Sequence, residues 1–122
     1  MNKEIESLVL IYERTILKES DNTEFNSFIE NRLSGVEKIA DSAKEKGGDA
    51  LLTYEHFNVK IPYYKKASKE FNKQSTYEEL KTKIDKLKSK VEDMSIEQTN
   101  FQRLVGEIEV LGELLIKFNS IN

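Results

Sequence analysis

Cysteine and tryptophan are absent from this 122-residue chain. Without cysteine there is no disulfide framework, no zinc–thiolate centre and no thiol nucleophile. A single histidine, His56, excludes any paired-histidine metal motif. No metal site and no cofactor are therefore expected. One proline and five glycines are too few for a many-turned β fold. No apolar run approaches the ~20 residues of a membrane-spanning helix. The N-terminus also lacks the apolar stretch of a signal peptide, so a cytoplasmic protein is expected. A glycine-rich phosphate loop and a serine nucleophile motif are missing too. The expectation is a non-enzymatic protein with no catalytic residues, although carboxylate catalysis needs no local motif and stays open.

Charge is what the chain has in abundance. Charged residues make up 34% and apolar residues 38% of the sequence, with a net charge of −3. The signs are unevenly distributed. Residues 1–59 carry seven basic and twelve acidic side chains, residues 60–90 ten lysines and four acids, and residues 91–122 two basic and six acidic. A lysine block thus sits between acidic flanks. Basic and acidic helix faces can pair internally, or the block can meet an anionic partner. All ten cations of the block are lysine, a flexible point charge rather than a bidentate fork. That argues against sequence-specific nucleic-acid recognition.

Helical periodicity dominates the N-terminal part. Ile5, Leu8, Val9, Tyr12 and Ile16 share one face of a helix over residues 2–19. Ser20-Asp21-Asn22 reads as a turn, with Thr23 as N-cap. A second helix over 24–46 has Phe25, Phe28, Ile29, Val36, Ile39, Ala40 and Ala43 on its apolar face, with Leu33 at the edge. Gly35 in its middle suggests a close crossing or a slight break. Gly47-Gly48-Asp49 is the strongest stop signal in the chain.

The last third has the clearest pattern. Tyr77, Leu80, Ile84, Leu87, Val91, Met94, Gln98, Phe101, Val105, Ile108, Gly112 and Leu115 alternate at three and four residues, a heptad seam. It is narrow up to Met94, then broadens as Leu104, Leu111 and Phe118 join it. Ser75 and Glu78 have capping-box spacing, and Ser95 and Gln98 repeat it within the stretch. The pattern predicts a long helix over 75–119, continuous or kinked near residue 95, or two helices. Its seam either packs on the N-terminal helices or self-associates. In the second case Leu80, Ile84, Leu87, Val91, Met94 and Phe101 are the candidate interface.

Between these helices lies the least regular segment, residues 47–74. It holds His56, the lone Pro62, three of the five tyrosines, and Lys60, Lys65 and Lys66. Val59 to Ile61 is expected to be extended, because the residue before proline disfavours the α region. Pro62 suits the first position of a helix over 62–73, and Phe57, Ile61, Tyr64 and Phe71 fall on helical spacing and are expected to pack inward. Aromatic rings beside ammonium groups can hold a base and its phosphates. His56, Lys60, Tyr63, Tyr64, Lys65 and Lys66 are therefore the candidate ligand-binding residues. The plainer reading has the rings in the core and His56 hydrogen-bonded.

These features predict one all-α domain, a small antiparallel helical bundle of three to four segments with a long, coiled-coil-like C-terminal helix. Residues 1–46 form a helix pair, 47–74 an irregular segment with a short helix, and 75–119 the long helix. The expected function is a helical protein-interaction or oligomerisation module, a small accessory or inhibitory protein. Self-association or a partner's helix would occupy it. The alternative is a protein that sequesters a small phosphorylated ligand or nucleotide at residues 56–66.

Overall fold

The computed structural model describes residues 22–121, and the helix expected over 2–19 lies outside them. The described residues are all-α, with five helices: α1 (Asn22–Lys46), α2 (Ala50–Asn58), α3 (Lys60–Lys69), α4 (Lys73–Glu92) and α5 (Gln98–Ile121). Helix α1 is helical from the first described residue, so Thr23 lies within it. It ends where the glycine pair stands, with Gly47 and Gly48 at φ +63° and +58°. Both adopt the left-handed conformation, which costs glycine nothing. α1 runs unbroken through Gly35, and a Cβ there would meet nothing within 4 Å. Neither a close crossing nor a break explains this glycine.

α2 and α3 form one bent rod. Val59, the residue between them, is itself right-handed helical at φ −66° and ψ −20°. The extended Val59–Ile61 stretch expected from Pro62 is therefore corrected, because helix continues through Ile61. Pro62 offers no N–H to the carbonyl of Asn58 one turn back, and the helix is interrupted only at Val59. Burial of Lys60, Tyr64 and Ala67 on the inner face of α3 outweighs the local penalty on the residue before proline. α3 also ends sooner than expected, and Phe71 packs inward from the linker that follows.

The long C-terminal helix is two helices. α4 stops at Glu92 and the chain folds back through residues 93–97. Met94 N–H donates to the carbonyl of Val91 and Ser95 N–H to that of Lys90, with Met94 at φ +52°. This is a Schellman cap with methionine where glycine is usual. The break falls where the Ser95–Gln98 spacing stood. Gln98, which interrupted the heptad seam, is the exposed first residue of α5. At the start of α4 the cap is Asn72, whose side chain accepts from Ser75 N–H, so Ser75 is not the cap.

Side-chain pairs give the directions. Glu55–Arg103, Lys60–Glu109 and Tyr64–Glu113 climb together, so α2–α3 runs parallel to α5. Glu24–Lys117 and Arg32–Glu113 run opposite, so α1 is antiparallel to it. α4 is antiparallel to α5 through its short turn. The core gathers Phe25, Ile29, Tyr64, Leu80, Leu104, Leu111 and Leu115, each at most 5% exposed. At the end opposite the 93–97 turn, Phe25 meets Phe71 and Phe118 edge-on at centroid distances of 4.8 and 5.5 Å. Ile39, expected in the core, is 43% exposed. No described helix is long and apolar enough to cross a membrane.

Candidate functional site

His56, Lys60, Tyr63 and Tyr64 recur at helical spacing along the bent α2–α3 rod, and all four meet α5. There they encounter three carboxylates, Glu107, Glu109 and Glu113. His56 Nε2 lies 2.8 Å and Lys60 Nζ 2.9 Å from one oxygen of Glu109. Tyr63 Oη donates to Glu107 at 2.6 Å and lies 3.1 Å from Glu79. Tyr64 Oη donates to Glu113 at 2.5 Å, and Arg32 from α1 forks onto the same carboxylate at 2.6 and 3.2 Å. Lys83 of α4 completes the set with a 2.7 Å pair to Glu107.

The electrostatics follow from these contacts. The His56 hydrogen bond, and then Lys60, hold the Glu109 carboxyl down at about 2. Burial, then the carboxylates of Glu107 and Glu79, push the Tyr63 hydroxyl well above the usual phenol range. Burial and the hydrogen bond to Glu113 do the same for Tyr64. The Arg32 guanidinium is likewise raised, by its own hydrogen bonds to Glu113. Lys60 is 6% exposed, and a buried ammonium is tolerated because Glu109 neutralises it. Its Nζ also lies over the Phe57 ring, 4.8 Å from the centroid.

Four of the six expected ligand-binding residues are thus brought together with their polar ends against the carboxylates of α5, and Lys60 also lines an open hollow of about 390 Å³ with Arg32, Glu109 and Glu113. Lys65 and Lys66 are exposed on the outer side of α3. The cleft beside Tyr63 and Lys66 measures about 40 Å³. A small-molecule site needs several hundred Å³, so this cleft is too small for a nucleotide, whereas the hollow beside Lys60 reaches that size. Within the cluster Tyr64 is buried, Tyr63 partly buried, and His56 hydrogen-bonded to Glu109. Among the described residues no three histidine or acidic side chains converge as metal ligands.

The expected interface set divides. Leu80, Ile84 and Leu87 are 1, 6 and 2% exposed. They belong to this chain's own core together with Leu104, Ile108 and Leu111, so they cannot form a seam with another molecule without unfolding the hairpin. Phe101 is partly buried against the same core. Val91 and Met94 are left outside, 37% and 90% exposed at the end of the hairpin.

Sequence reasoning missed the carboxylates, treating acids as solvated faces. A signal was present: Glu107, Glu109 and Glu113 each stand beside apolar residues in the broadest apolar stretch of the chain. An acid in such a helix needs a partner. Arg103, which pairs with Glu55 across α2 and α5, carried no comparable signal. Compared with known proteins, the chain matches no family model, no curated protein and no solved structure.

Proposed function

We propose that this protein is a non-enzymatic protein-interaction module and that the α4–α5 turn is one of its contact surfaces. The observation that carries the reading is Met94. A long apolar side chain is held almost wholly in solvent, 90% exposed, on a left-handed backbone that favours glycine. A residue that costs local stability and gains no internal contact points to a use outside the chain. Val91 lies one turn below it and widens the apolar patch. The partner is a second copy or a different protein with an apolar socket.

Photo-crosslinking tests this. A benzophenone amino acid replaces Met94, and in a parallel variant the exposed Lys69. An adduct of twice the chain mass from the purified protein identifies self-association. A heavier adduct formed only in cells identifies another partner. No adduct from position 94 beyond that from position 69, in either setting, removes the reading.

The alternative, sequestering a small phosphorylated ligand, has the exposed Lys65 and Lys66 and the hollow beside Arg32 and Lys60 in its favour. His56, Lys60, Tyr63 and Tyr64 have their polar groups committed to Glu107, Glu109 and Glu113. Millimolar nucleotide that leaves the melting temperature unchanged counts against it, because a ligand of the folded state alone must stabilise.

A further inference from the structure

We infer that the face shared by α1 and the α2–α3 rod is a groove for an acidic amphipathic helix of a partner protein. The inference deepens the protein-interaction reading by naming a second surface and the chemistry of its occupant. Two open hollows lie along this face. The upper one, about 330 Å³, is lined by Ile39, Ala43 and Lys46 of α1 and by Ala50 and Thr53 of α2. The lower one, about 390 Å³, is lined by Arg32 of α1, Lys60 of α3, and Glu109, Gly112, Glu113 and Ile116 of α5.

The two hollows share one register. Arg32 and Ile39 are seven residues apart on α1, and Thr53 and Lys60 seven apart on α2–α3, whose helical backbone continues through Val59. Seven residues are two helical turns, or roughly 10 Å. The hollows therefore follow one another along the same side of the α1/α2–α3 pair. From Lys46 to Arg32 the face spans roughly 21 Å, the length of a four-turn helix. Ile39, midway along it, and Ile116, beside the lower hollow, are 43% and 46% exposed and ready to meet an apolar stripe.

Charge chooses the occupant. The lower hollow's acids are already paired with cations, Glu109 with Lys60 and Glu113 with Arg32. No acid lines the upper hollow, where Lys38 and Lys46 are exposed. The charge left unmatched on this face is positive, and two cations flanking an isoleucine suit a helix with carboxylates beside its apolar stripe. Two lysines are too few to track a nucleic-acid backbone.

The probe is a synthetic 16-residue helix-forming peptide with leucines on one face and glutamates on the other, titrated into the isotopically labelled full chain. A second peptide has lysine in place of each glutamate. The acidic peptide shifts the amide resonances of Ile39, Ser42, Lys46 and Thr53 and binds at least tenfold tighter than the basic one. Both Ile39→Glu and the pair Lys38→Glu with Lys46→Glu weaken it at least tenfold. These side chains are exposed, and circular dichroism verifies that each variant stays folded. Lys65→Glu with Lys66→Glu leaves the affinity unchanged. The inference is overturned by no binding at millimolar peptide, by equal binding of both peptides, or by shifts centred on α3 or the 93–97 turn. A peptide-free dimer that Ile39→Glu dissociates also overturns it, because the occupant is then a second copy. None of these results bears on a crosslink from position 94, so this groove and the contact at Met94 fail separately.

Discussion

Gly106 passes so close to His56 that a side chain has no room: a Cβ there would stand 2.2 Å from the His56 carbonyl oxygen and 2.7 Å from a methyl of Val59. The obstacle is backbone, at the bend between α2 and α3, and backbone cannot rotate away. This approach sets the spacing at which His56 and Lys60 reach Glu109. Gly106→Ala therefore forces the rod off α5. A loss of about 2 kcal/mol or more is expected, read by denaturant unfolding. The ring resonances of His56 shift with it. An alanine variant as stable as the parent rejects the close packing.

Glu109 makes acid stability measurable. Its carboxyl is lowered from 4.5 to about 2 by His56 and Lys60. A depressed carboxyl contributes stability present above the unfolded value and lost as pH falls toward the folded one. The window runs from about pH 4.5 down to pH 2. The carboxylate is 49% exposed, so screening keeps the effect modest. Glu109→Gln should melt lower than the parent at about pH 6, above that window, and lose less on acidification. Parallel melting curves across that window reject the assignment.

Tyr63 and Tyr64 bracket the alkaline side. Both hydroxyls are raised by burial and by carboxylates that accept from them. A raised group gives stability that is complete below its unfolded value, near about pH 10, and drains away as pH climbs further. Spectrophotometric titration should show some of the five tyrosines ionising only as the protein unfolds. Tyr63→Phe and Tyr64→Phe should each remove one such late step. Normal, reversible ionisation of all five in the folded chain contradicts the geometry.

Met94→Gly should raise stability by about 1 kcal/mol, because glycine adopts the left-handed cap without steric cost. Met94→Ala keeps that cost and should not. Thermal melts of the parent and the two variants suffice. A glycine variant no more stable than the parent denies the backbone strain on which the interaction reading leans.

Leu87 separates an internal seam from an external one. It is 2% exposed within this chain, so Leu87→Ala should cost about 2–5 kcal/mol. The loss should not vary with protein concentration. A cost that shrinks as concentration rises returns Leu87 to an intermolecular contact.

Local pattern accounted for the all-α class, the C-terminal end of α1 at Gly47-Gly48, and the inward faces of Leu80, Ile84, Leu87, Leu104 and Leu111. Spacing of apolar residues and chain-stopping glycines act over a few residues, and a sequence displays them. It also contained the Ser95–Gln98 spacing at which the long pattern breaks. It did not display the reversal itself, because the heptad count runs straight through residues 93–97 and no glycine marks the turn. Only the pairing of α4 with α5 made two helices of one pattern and drew Leu80, Ile84 and Leu87 inside. Tertiary contact likewise decided the fate of the Tyr–Lys cluster. His56 and Glu109 are 53 residues apart, and nothing in a periodic pattern says which distant carboxylate an ammonium or imidazole will meet. Helix formation is a short-range property of the chain, whereas the partner of a charge is settled by which helices the apolar core brings side by side.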